Sequence, residues 1–327
     1  MLRAFAVTFL LSVFLLTACT PPNALQRSHQ LSPASLMNAS FSPMGTLAVA
    51  TLEQVAVYNK HGELEALLEL PPAEGTWNLA WLTPELLAIT DDKHVYSWDY
   101  QQAKMAGPWV SSQRIRLIDA HQHQLALAFD GPLLEWLHFN DAGHPVNRTT
   151  LEVAERISQL HFDSDGGLLV GDESGRLSYW QEADRNPLWT IKFANMHVVQ
   201  SIATSPEQVM VVTQPPGDRF ATGSGQQIVQ IDRNSGKINH RVDPTVDGQV
   251  ASLITEGQRL WLGSSGNCMY LHTLQRTTSA HCYPRPQRLG RQTGQVIALH
   301  VTDTKVYGVT SAGYLQVWQK KDIVSQL

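Results

Sequence analysis

The chain has 327 residues, 43% hydrophobic and 16% charged, which suits one large or two ordinary folded domains and excludes a disordered chain. Its formal net charge is −5, with no block of like charges, so nothing in it calls for a nucleic-acid partner.

Residues 1–18 read as a secretory signal. Arg3 supplies a positive start, and Ala4 to Leu16 is apolar except for Thr8 and Ser12. That run is too short to span a bilayer comfortably and right for a signal core, and no later stretch is long and apolar enough for a membrane helix. The next residues, Leu16-Thr17-Ala18-Cys19, resemble the processing box of bacterial lipoproteins, in which cleavage precedes a cysteine that is then acylated. The resemblance implies that Cys19 is the lipidated first residue of the mature chain. A catalytic thiol would need a His partner in a folded setting, whereas Pro21-Pro22 reads as the start of an extended tether over residues 19–35. Lipoproteins with Asp after the cysteine are usually kept on the inner membrane. Thr20 stands there, so the resemblance implies the periplasmic side of an outer membrane, held by several acyl chains, palmitate among them.

From residue 36 onward one pattern repeats. An apolar strand ends in a large apolar residue followed by a polar one at Tyr58-Asn59, Trp98-Asp99, Phe139-Asn140, Trp180-Gln181, Ile231-Asp232, Leu271-His272 and Trp318-Gln319, spaced 40, 41, 41, 51, 40 and 47 residues apart. The segments between alternate or run as short apolar stretches bounded by turn residues, which is strand and not helix periodicity. The first unit contains "LMNASFSP", "TLAVAT", "VAVYN" and "LEALLEL", four short strands. These units resemble WD40-type propeller blades. Ser42-Pro43-Met44-Gly45 and Asp163-Ser164-Asp165-Gly166 fit the turn before the second strand, and Trp98-Asp99 fits the end of the third. The fifth unit, "IVQIDRNSGKINHRV", is closer to the blades of quinoprotein-type propellers and of lipoprotein propellers that assist barrel assembly.

The expected fold is all-β, a seven-bladed β-propeller of four-stranded antiparallel blades over residues 36–327. A single four-stranded sheet leaves both faces uncovered, so blades stack round an axis and the ring must close. The seventh unit lacks an outer strand after Gln319. Residues near 24–32 are expected to supply it, with Lys320–Leu327 as the rival.

Chemistry-bearing motifs are few. Cys268 opens the third strand of blade six and Cys282 lies in its fourth. A hairpin turning near Gln275-Arg276 sets the two directly opposite, within disulfide reach, and an oxidising compartment permits the bond. Of 13 histidines, His121-Gln122-His123 would present two imidazoles on one side if extended, but it falls at a predicted turn. His161 and His300 hold equivalent repeat positions on innermost strands, where both approach the axial channel. No phosphate-cradling loop, nucleophile elbow or zinc-protease motif is present, so the reading is non-catalytic, with no cofactor and no metal. The longer spacings come from "QPPGDRFATGSGQQ" in blade five and "PRPQRLGRQTG" between blades six and seven. Both connection types leave the same end of a blade, which gathers Arg219, Phe220, Arg285, Arg288 and Arg291 as a candidate partner-contact patch. The expected function is a lipid-anchored scaffold or assembly factor, monomeric, that binds an envelope protein. An enzyme or cofactor-binding propeller using the axial funnel is the alternative.

Overall fold

The strands pair into seven four-stranded antiparallel sheets, each built from strands consecutive in the chain except the last. This computed structural model describes residues 25–71, 75–181, 186–193, 198–215, 225–244, 246, 248–273, 281–283 and 294–324, with backbone alone at 25, 26 and 281–283. The innermost strands are Asn38–Phe41, Asn78–Trp81, Ile115–His121, Ile157–Phe162, Val198–Thr204, Val250–Glu256 and Val296–Val301. Each packs against the next, and that of blade seven returns to that of blade one, so the sheets form a closed ring.

Burial follows strand position. Second strands such as Leu47–Ala50, Leu86–Thr90 and Leu168–Asp172 are buried throughout, because neighbouring blades cover both their faces. The outer strand Leu64–Glu69 keeps only partial burial at alternate residues. The core therefore splits into seven apolar clusters, each lying between two adjacent blades. The repeat landmarks Tyr58, Trp98, Phe139, Trp180, Ile231, Leu271 and Trp318 all belong to these clusters. Burying a side chain of this kind stabilises by roughly 1.5–3 kcal/mol, so the period seen in the sequence is the period of inter-blade packing.

Closure is made by the N-terminal segment. Leu25–Gln30 pairs antiparallel with Tyr314–Gln319, running from Leu25 opposite Trp318 to Gln30 opposite Tyr314. The amide of Leu31 then bonds the carbonyl of Gly313 at 2.8 Å, and the Tyr58 hydroxyl of blade one donates to the Leu31 carbonyl at 2.8 Å. Residues Lys320–Val324 form a short helix rather than a strand, with Ile323 sealed into the cluster between blades six and seven.

In blade six the register departs from the direct Cys268–Cys282 opposition expected from the sequence. Cys282 lies opposite Tyr270, an offset of two residues. Cys268 is thus diagonal to it in the backbone register, and it precedes the strand Met269–Thr273. There it closes a turn through bonds between its backbone and Ser264, so ladder spacing does not confine it.

Candidate functional site

The turns joining first to second strands surround one mouth of the ring. Register makes Ser40, Ala80, Asp119, His161, Ala203, Ile254 and His300 equivalent, each facing the second or third residue of its partner strand. This row forms a collar at the mouth. A cavity of about 850 Å³ opens there, lined by residues of blades one, two, three, six and seven, which only the ring axis brings together. Its wall includes Phe41, Trp81, Asp119, His121, His123 and His300, and no Lys or Arg.

Local bonding fixes these groups. Ser42–Thr46 is a tight turn, closed by the Ser42 amide on the Thr46 carbonyl at 2.8 Å and the Gly45 amide on the Ser42 carbonyl at 2.9 Å. Gly45 has φ +84°, and a Cβ there would stand 3.0 Å from His300 Nε2, so glycine lets this turn rest on the imidazole. Phe41 stacks on His300 with ring centroids 5.3 Å apart. The Trp81 indole donates to the Ser40 carbonyl at 3.0 Å, and the His123 amide to the Leu82 carbonyl at 3.0 Å, so three successive blades share one wall.

Asp119 is the chemical centre of that wall. Its Oδ2 accepts the Phe162 amide at 2.6 Å and lies 3.8 Å from His161 Nδ1, while His161 Nε2 is 3.2 Å from the Thr204 hydroxyl. Burial pushes the Asp119 carboxyl above its usual range; the charge of His161 and the amides of Phe162 and Ala120 pull against that without offsetting it. Burial likewise holds His161 and His300 below the ordinary imidazole value. Asp119 makes no ion pair with Lys or Arg among the described residues.

His121 and His123 both reach the cavity but do not act together. His121 ends the innermost strand of blade three, and Gln122 and His123, with φ +44° and +66°, make a two-residue turn, so the segment is not extended. His121 packs by Phe162, and His123 lies 3.6 Å from Asp141. Among the described residues, no group of three or more His, Cys, Asp or Glu is arranged to hold a metal ion. His161 and His300 do occupy one row, on blades four and seven. Asp119 shares that row, and alignment of the repeats alone would have singled it out. Cys19, Arg219, Phe220, Arg285, Arg288 and Arg291 lie outside the described residues. The strands that flank the arginine segments, ending at Gln214 and starting at Gln227 and Val296, meet them at the end of the ring opposite the mouth.

No protein-family model matches the chain, and no curated protein matches it. It is similar to a chain in a structure described as "Crystal Structure of Mitotic Checkpoint Complex", with TM-score 0.72 and 16% identity over 91% of this chain and 92% of that one. At that identity the likeness shows the propeller fold alone. No helix among the described residues is long and apolar enough to cross a membrane.

Proposed function

We propose that this is a non-catalytic bacterial lipoprotein of WD40-like build, anchored by acyl chains on Cys19 at the periplasmic face of the outer membrane, that holds an envelope protein at the mouth of its ring. The single observation that carries the binding role is the mouth cavity. It joins aromatic rings, imidazoles and a carboxylate that has no Lys or Arg partner among the described residues, on strand ends of a rigid ring, the form of a preorganised recognition site. The anchor rests on Leu16-Thr17-Ala18-Cys19 and the short apolar run before it. The Cys268–Cys282 bridge fits that compartment, and its support is the diagonal register in blade six together with the bonded sulfur of Cys268. Arg219, Phe220, Arg285, Arg288 and Arg291 remain candidates for a second contact.

One observation favours catalysis, the series Asp119, His161 and Thr204. The binding reading is preferred on geometry. The Asp119–His161 separation of 3.8 Å is too long for a hydrogen bond, Oδ2 already accepts the Phe162 amide, and Thr204 does not line the cavity.

The test is affinity recovery of the intact lipoprotein from crosslinked cell envelopes, with Cys19→Ala in parallel. A reproducible protein partner is expected, together with loss of membrane association in the variant. Recovery of no reproducible partner overturns the scaffold reading.

A further inference from the structure

Four of the seven turns at the mouth carry acid. The seven turns between first and second strands, residues 42–46, 82–85, 122–123, 163–167, 205–207, 257–258 and 302–304, carry Glu85, Asp163, Asp165, Glu207 and Asp303 and no Lys or Arg. Asp163 and Asp165 share one cation, Arg233, which reaches in from another turn of blade five. Glu85, Glu207 and Asp303 make no ion pair with Lys or Arg among the described residues. Below this rim, Asp119 faces the cavity with a side chain 30% exposed, and its charge-capable neighbours are two imidazoles, His161 and His121. A carboxylate in such a wall is costly unless a cation joins it.

We infer that the mouth receives a basic loop of the partner protein, with an Arg or Lys side chain entering the cavity to pair with Asp119 and its aliphatic stem lying along Phe41 and Trp81. This inference rests on the binding role proposed above and names the chemistry of the partner. Three features select a protein loop over a free amine. The rim acids extend the complementary charge well beyond one cation. The cavity exceeds the volume of one basic side chain several-fold. Met44, 73% exposed on the first of these turns, offers apolar contact outside the cavity.

The test uses the full-length lipoprotein in detergent and a fluorescein-labelled peptide, Gly-Ser-Leu-Arg-Leu-Arg-Ser-Gly-amide. A second version carries citrulline, the uncharged isostere, in place of both arginines. Fluorescence anisotropy is expected to show at least tenfold tighter binding of the arginine peptide, weakening as salt rises. Asp119→Asn, which keeps the acceptor for Phe162, is expected to bring arginine binding down to the citrulline level. Glu85→Gln with Asp303→Asn, exposed and remote from the core, is expected to reduce the salt dependence and weaken binding several-fold. Equal binding of the two peptides, or an Asp119→Asn variant with unchanged near-ultraviolet circular dichroism and unchanged affinity, overturns the inference. Agmatine binding as tightly as the peptide overturns the loop in favour of a small organic cation. A partner recovered equally by wild type and Asp119→Asn sinks this inference and leaves the binding role standing, whereas recovery of no partner removes the binding role itself.

Discussion

The Tyr179 hydroxyl donates to Asp163 Oδ2 at 2.6 Å, tying the third strand of blade four to the turn at its mouth end. Asp163 is wholly enclosed. Its Oδ1 accepts the amides of Asp165 at 2.9 Å and Gly167 at 2.8 Å, and Arg233 of blade five approaches Oδ2 at 3.3 Å. Burial and the hydrogen bond to Asp163 together raise the Tyr179 phenol far above its ordinary value, so it donates at every physiological pH. Asp163→Ala leaves Arg233 and two turn amides short of their acceptor, and is expected to cost about 3–5 kcal/mol. Tyr179→Phe strands one oxygen and is expected to cost about 1–3 kcal/mol. Urea unfolding monitored by tryptophan fluorescence measures both, and a loss under about 1 kcal/mol for Asp163→Ala would contradict this role.

The contribution of three histidines to stability is expected to fall as pH drops below about 6.5, the ordinary histidine value, with the raised Asp119 carboxyl acting in the opposite sense. His161, His272 and His300 are all held below that histidine value, chiefly by burial, and the charge of His240 adds to the effect on His272. Between the ordinary and the depressed value these groups bind more protons in the unfolded chain than in the folded one, so their contribution rises with pH across that window. Each group contributes a slope of at most about 1.4 kcal/mol per pH unit. His272→Met is the cleanest check, because His272 is buried and neither ring nitrogen has a hydrogen-bond partner. Unfolding midpoints taken from pH 7.5 to 5 should slope less in the variant; an identical slope would exclude His272 as a contributor.

Deleting Leu25–Gln30 removes the strand that covers the edge of Tyr314–Gln319. The ring then ends in an exposed apolar edge, and a lower thermal midpoint with concentration-dependent association is expected. Sedimentation velocity reads the association. A monomer of unchanged midpoint would show that inter-blade packing alone closes the ring.

Reducing the proposed Cys268–Cys282 bridge is expected to lower stability by about 3 kcal/mol in the chain-entropy model. Cys282→Ala should reproduce the loss without reductant. Thiol labelling of both residues in the folded, unreduced protein would exclude the bond.

The ring itself was legible because each blade buries its third-strand end against a neighbour, so Trp98, Trp180 and Trp318 recur at the spacing of the packing. His161 and His300 were legible for the same reason, as one position of the repeat. Asp119 holds that same repeat position, so what the sequence hid was its contacts, the Phe162 amide and the His161 imidazole, both a blade away. Contacts of that range leave no local signature. His121-Gln122-His123 misled in the other direction. Alternation implies a shared face only in an extended segment, and here two residues adopt positive φ. The cysteine register slipped by two residues because the sequence of a long hairpin connection does not fix its centre.

Photocrosslinking in intact cells most directly tests whether the mouth is where a partner binds. Benzoylphenylalanine replaces Met44 on the mouth turn of blade one, or Leu67, 51% exposed on the outer strand of the same blade. A discrete protein adduct is expected from position 44 and none from position 67. An adduct from position 67 alone would contradict the mouth as the binding site.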